Sequence, residues 1–130
     1  MPTPDFDRKP ATPQEDPDNK PFMDAARQGR LLMGKCQDTG KLFYPPRHIS
    51  PFTLSSNVEF VESRGEGTIY SWSVARGKEP YCLAYVTLAE GPTMMTNIIG
   101  TDLDTVACGQ KVKLVFKPTD GAPVPMFTPA

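Results

Sequence analysis

The sequence predicts a mainly β protein: a short helix, a β-hairpin, and then five strands closing into a small Greek-key barrel of the OB-fold type. Two observations carry the prediction. From Asn57 onward, stretches of alternating apolar and polar residues are separated by turns rich in glycine and proline. The longest connection falls before the last of these stretches, from Thr101 to Gln110, with room for no more than a short helical turn. Five short strands so arranged suit an OB barrel, whereas a β-sandwich usually wants about seven.

The first twenty residues hold Pro2, Pro4, Pro10, Pro13 and Pro17, eight charges, and Phe6 as their one aromatic. Ordering such a segment costs roughly 1–2 kcal/mol per residue, which its composition cannot offset. Residues 1–20 are therefore read as a disordered or extended N-terminal arm. A helix is predicted from about Pro21 to Gln28: Asp18 or Asn19 caps it, Pro21 suits its first turn, and Gly29 ends it in a left-handed conformation. Phe22, Ala25 and Ala26 share its docking face. Arg30–Cys36 and Lys41–Tyr44 read as two strands joined at Asp38-Thr39-Gly40, and Pro45, Pro46 and Pro51 then impose an irregular run. Residues 21–56 thus form a helix plus hairpin, and residues 57–130 a barrel and C-terminal tail. The five barrel strands are placed at Val58–Arg64, Gly67–Arg76, Tyr81–Ala89, Thr93–Ile99 and Lys111–Lys117. Alternation is clearest in the third, where Cys82, Ala84, Val86 and Leu88 fall on one face, and in the fifth, with Val112, Leu114 and Phe116.

Composition narrows the function classes. The arm carries a net charge of −2, leaving 11 basic and 10 acidic residues in the rest of the chain. That balance lacks the basic stripe with which nucleic-acid binders displace counterions. Tyr70 with Trp72, and Tyr81 with Tyr85, are nevertheless the ring pairs an OB barrel would use to stack bases. A stand-alone module for single-stranded nucleic acid is therefore the alternative reading. No apolar run reaches the length of a membrane span, and Met1-Pro2-Thr3-Pro4 does not begin a signal peptide. Cys36, Cys82 and Cys108 lack disulfide spacing, so a cytoplasmic location fits best, with Cys82 and Cys108 read as small buried side chains. His48 is the single histidine, and no Gly-x-Ser-x-Gly elbow accompanies it. A hydrolase built on His48 is the weakest of the readings, and no catalytic residue is assigned.

The order of parts resembles one family. ARQGRLL, then FYPPR, GEGTIYSWSV, EPYCLAYVTLAEGP, TNIIG, GQKVKLVF and a terminal PMFTPA are similar to the OB-fold, acyl-CoA-associated proteins that carry an N-terminal rubredoxin-like zinc ribbon. The resemblance spans roughly Pro21 to Ala130. It implies a non-catalytic accessory subunit associating with an acyl-CoA-processing enzyme, thiolase-like, aldolase or enoyl-CoA hydratase, and helping to shape or stabilise its acyl-CoA site. It also implies two Cys-x-x-Cys knuckles around zinc. Of these four positions only Cys36 keeps its cysteine, with Thr39, Ser50 and Thr53 in the others. Hydroxyls are poor zinc ligands, so the ribbon is degenerate and zinc is expected to be absent. On this reading the candidate contacts to a larger partner subunit, or indirectly to coenzyme A, are the exposed groups Phe22, Arg30, Leu31, Lys35, Arg47, Phe52 and Leu54.

Overall fold

The computed structural model describes residues 9–130. Of the expected arm, residues 1–8 lie outside the described residues. Residues 9–16 carry no helix or strand, and they lie along the body of the protein. Lys9 pairs with Asp120, Glu15 with Arg27 at 2.5 Å, and Thr12 sits where a side chain at Gly121 would collide with it.

Helix α1 (Lys20–Arg27) begins one residue before its predicted start, with Asn19 at the N-cap. The Asn19 side chain makes no capping bond; it forms a reciprocal pair with Asp16, each side chain accepting from the other's backbone N–H. Gly29 at φ +76° ends the helix as expected, and Arg30 N–H returns to Ala25 C=O at 2.9 Å. Met23, Ala25 and Ala26 are the buried face, and Phe22 meets Tyr44 edge-on with ring centroids 6.1 Å apart.

Strands β1 (Leu32–Cys36) and β2 (Leu42–Phe43) form the predicted hairpin. Gly34 lies opposite Phe43, whose ring covers it so closely that a Cβ there would sit 2.2 Å from the ring. The aromatic ring occupies the space a side chain would need, which explains a glycine in mid-strand. Strand β3 (Val58–Glu62) corrects one expectation. It is not a barrel strand but pairs in full with β1, from Leu32↔Glu62 to Cys36↔Val58, making a three-stranded sheet in the order β2-β1-β3.

The barrel is built from β4 (Glu66–Ala75), β5 (Tyr81–Leu88), β6 (Thr93–Ile98), β7 (Lys111–Lys117) and β8 (Val124–Pro129), closed in the order β4-β5-β6-β8-β7. Five strands, one parallel contact (β6 with β8) and one 3-10 turn (Leu103–Thr105) in the long connection give the OB-fold that the sequence predicts. The fifth strand is β8, at residues read from the sequence as a tail. A bulge between Ile69 and Ser71 lets β4 pair with β5 along its length while its first three residues pair with β7.

Ribbon and barrel share one core. Leu31 and Met33 pack with Ile69, Val86, Ile98 and Phe127. Leu31 was expected among the exposed contact groups. It is instead fully buried, because it immediately precedes β1 on the side that faces the barrel, and its C=O accepts from Ser63 N–H at 2.8 Å. Cys82 is buried as expected; Cys108 is exposed, because it sits in the turn before β7.

The joint between the two sheets is stapled by Glu90, from the β5–β6 turn. Its carboxylate accepts from Ser63 Oγ at 3.0 Å and Arg64 N–H at 2.7 Å. Burial raises the Glu90 pKa, but these donors and the Arg64 charge outweigh it and hold the carboxyl below its ordinary value. A pKa depressed on folding contributes stability above the unfolded value, about 4.3, that is lost as pH falls through the folded value. Glu90→Gln is expected to cost about 1.5–3 kcal/mol at pH 7 and to flatten stability against pH below about 5. Urea midpoints of both proteins from pH 3 to pH 7 check this.

Candidate functional site

The four positions of the ribbon's ligand set come together. In the first knuckle, Gly40 N–H bonds to Cys36 C=O at 2.7 Å, with Gly40 at φ +75°. In the second, Leu54 N–H bonds to Ser50 C=O at 3.0 Å, with Leu54 at φ +62°, the one non-glycine among the described residues with positive φ. The two knuckles therefore have the same backbone, including the left-handed residue that closes each. Left-handed backbone costs a leucine roughly 1–2 kcal/mol.

Between them lies Cys36, fully buried. Its sulfur is 3.9 Å from Thr53 Oγ1 and within hydrogen-bonding reach of the Ser50 and Thr39 hydroxyls. Ser50 Oγ already accepts from the N–H groups of Phe52 and Thr53, and Thr39 Oγ1 accepts from Lys41 N–H. Led by Ser50 and then Thr39, and opposed by burial, hydrogen bonds to the sulfur bring the thiol pKa down to about 7.

This donor set does not fit zinc. One thiolate and three neutral hydroxyls replace the four strong donors a structural site needs. Among the described residues no group of three or more His, Cys, Asp or Glu side chains is placed to hold a metal ion. A carboxylate stands beside the knuckles instead. Asp38 accepts from Thr53 Oγ1 at 2.9 Å, Ser55 Oγ at 2.5 Å and Asn57 Nδ2 at 3.0 Å. Led by Ser55, these bonds hold its carboxyl below the usual carboxylate range.

The remaining sequence-predicted contacts are spread over the ribbon. Phe52 and Leu54 are exposed at the second knuckle, 45% and 77%, and Ile49 beside them is 48% exposed. Phe52 stacks edge-on against Phe43, with Lys41 over its ring. Phe22 is half-buried, Lys35 is half-buried, and Arg47 is exposed. Arg30 is held by Glu62 at 3.2 Å and by Gln28. Arg30 stands two residues before β1 and Lys35 lies within it. His48 stacks on Phe60 with ring centroids 5.0 Å apart, and its Nε2 lies 3.7 Å from Asp18, a surface packing arrangement.

A second exposed apolar face was not assembled by sequence reasoning. Leu83 and Tyr85 on β5 project outward beside Met95 on β6, and the three are 41%, 47% and 58% exposed. Leu83 and Met95 border an open groove of about 340 Å³, lined also by Pro10, Tyr44 and Pro125. The signal was present: the alternation that buries Cys82, Ala84 and Val86 leaves apolar side chains on the face that alternation reserves for polar ones. The bulge also separates the expected ring pair. Trp72 pairs with Ala84, whereas Tyr70 falls in the bulge at 71% exposure.

A three-stranded ribbon continuous with an OB barrel through one core defines the class of the chain. It matches the family description of the ChsH2 rubredoxin-like zinc ribbon domain over residues 23–49 and of the ChsH2 C-terminal OB-fold domain over residues 60–117. A DUF35 domain-containing scaffold protein of Pyrococcus furiosus is 32% identical over 95 residues, 68% of this chain and 69% of that protein. A chain of the Ltp2-ChsH2(DUF35) aldolase superposes with a TM-score of 0.80 and 32% identity, covering 91% of this chain and 98% of that one. The chain belongs to the ChsH2/DUF35 family. It is also 33% identical over 120 residues to a probable enoyl-CoA hydratase alpha subunit of Thermomonospora curvata, covering 87% of this chain and 38% of that protein, so it spans little more than a third of that relative's length. Among the described residues no helix is long and apolar enough to cross a membrane.

Proposed function

We propose that the chain is a non-catalytic, zinc-free accessory subunit that associates with a larger acyl-CoA-processing enzyme, thiolase-like, aldolase or hydratase, in the cytoplasm. The observation that carries this reading is the 32% identity to a chain of the Ltp2-ChsH2(DUF35) aldolase, over 98% of that chain. The hydratase alpha subunit name of a second relative points to the same chemistry. The side chains support it: His48 is engaged in surface packing, and apolar groups are exposed at the second knuckle and on the barrel face. In this reading Phe22, Arg30, Lys35, Arg47, Phe52 and Leu54 face the partner. The contribution to chemistry is indirect, through ordering the partner's loops and closing its acyl channel against water.

Affinity purification of the tagged chain from its native host, with mass spectrometry of what accompanies it, tests the proposal. A thiolase-like, aldolase or hydratase subunit is expected in stoichiometric amount, and its loss from a Phe52→Glu/Leu54→Glu variant of unchanged Tm assigns the ribbon tip to the contact. Recovery of the chain alone, as a monomer or homo-oligomer, overturns the accessory role. Titration with a labelled oligonucleotide at low salt is expected to show no binding at micromolar protein, in keeping with the near-neutral charge.

A further inference from the structure

We propose that the Asp38 carboxylate is the cross-link of this ribbon, joining the two knuckles by hydrogen bonds where a zinc ribbon joins them through its ion. The inference rests on the zinc-free reading above. Asp38 lies inside the first knuckle, between Cys36 and Thr39, and its three side-chain donors all belong to the second knuckle and the strand entry after it. Thr53, Ser55 and Asn57 are 15, 17 and 19 residues away in sequence. An aspartate serving only its own turn would bond backbone groups two or three residues on. This one bonds across the gap that the metal spans in a ribbon.

The hydrogens can be assigned. Thr53 donates its one hydroxyl hydrogen to Asp38 at 2.9 Å, and its oxygen also lies 3.2 Å from Ser55 Oγ and 3.9 Å from Cys36 Sγ. Ser55 donates to the same carboxylate oxygen, and its own oxygen accepts from Asn57 N–H at 3.3 Å. Asn57 donates to the other carboxylate oxygen, while its C=O accepts from Gln37 N–H at 2.9 Å. Both oxygens of Asp38 are therefore used, and Thr53, Ser55 and Asn57 are gathered onto one carboxylate. Each bond has an ionised acceptor, the stronger class of hydrogen bond.

The experiment uses the full chain. Zinc content and Tm with and without EDTA are measured on the wild type. Amide hydrogen exchange at Gly40 and Leu54, the two knuckle-closing N–H groups, is compared among wild type, Asp38→Ala and a Glu79→Ala control from the β4–β5 turn. The expected result is no zinc, a Tm indifferent to EDTA, and exchange at Gly40 and Leu54 faster by about tenfold or more in Asp38→Ala alone, with barrel amides such as Val86 much less affected. If Asp38→Ala does not fold, Ser55→Ala and Asn57→Ala each remove one donor and are read at the same amides. Wild-type exchange in these variants without zinc overturns the carboxylate cross-link and leaves the zinc-free reading standing. One zinc per chain, with Gly40 and Leu54 deprotected by EDTA, overturns both.

Discussion

Phe127→Ala is expected to lower the folding free energy by about 3–5 kcal/mol, a large share of what a domain of this size has to lose. Among the described residues Phe127 is the largest side chain with no exposed surface. It lies on β8 at the point where the barrel closes: it pairs with Leu114 of β7 on one side and with Ile98 of β6 on the other, and its C=O accepts from Ile99 N–H at 2.9 Å. The single bridge to Ile98 is the register of the whole β6–β8 contact, so little backbone bonding resists if the ring no longer fills the core. Because Leu31 and Met33 of the ribbon pack in the same cluster, ribbon and barrel should melt together. Urea unfolding followed at Trp72 and by far-ultraviolet circular dichroism checks this: coincident transitions shifted to lower urea with an unchanged slope are expected. A shift equivalent to less than about 0.5 kcal/mol, as for a solvent-exposed tail, would show that β8 does not close the barrel.

That β8 was read as a tail has a physical cause. Its sequence, VPMFTP, carries two prolines, and proline inside a run argues against a strand because it removes a ladder donor. The strand survives because it leans on β7 for six residue pairs and touches β6 at one, so the missing N–H groups weaken an almost one-sided ladder. The opposite error placed Val58–Glu62 in the barrel. Its composition says strand, but only the non-local pairing with β1 says which sheet, and pairing partners are not written in periodicity. Helix α1, the hairpin and four barrel strands were legible because each depends on local pattern and turn residues. At the site, the knuckle positions were legible through the family resemblance, whereas Asp38 was taken for an ordinary turn residue. A signal for it existed in Thr53, Ser55 and Asn57, three side-chain donors within five residues of the second knuckle, which its turns bring onto a single acceptor.

Restoring the three missing thiols, by Thr39→Cys, Ser50→Cys and Thr53→Cys together, is expected to create a site that binds one zinc per chain. The gain in folding free energy on metal binding would be on the order of 10 kcal/mol. The backbone already has the required form, since both knuckles keep their closing hydrogen bonds and their left-handed fifth residue, Gly40 in one and Leu54 in the other. The spacing agrees as well. Four sulfurs at about 2.3 Å from a tetrahedral ion stand about 3.8 Å apart, and Cys36 Sγ is 3.9 Å from Thr53 Oγ1. Metal analysis, the visible absorption of the cobalt-substituted protein and a rise in Tm that EDTA reverses would establish the site. Failure to bind would mean that the side-chain directions have diverged although the backbone has not. The triple variant also removes Thr53 as a donor to Asp38, so its metal-free form should exchange Gly40 and Leu54 amides faster than the wild type, and zinc should slow them again. A ribbon that takes the ion back while its wild type holds together without it places the loss of zinc in the side chains alone. The shared core from Leu31 to Phe127 then carries the stability that a free-standing ribbon would have to draw from its metal.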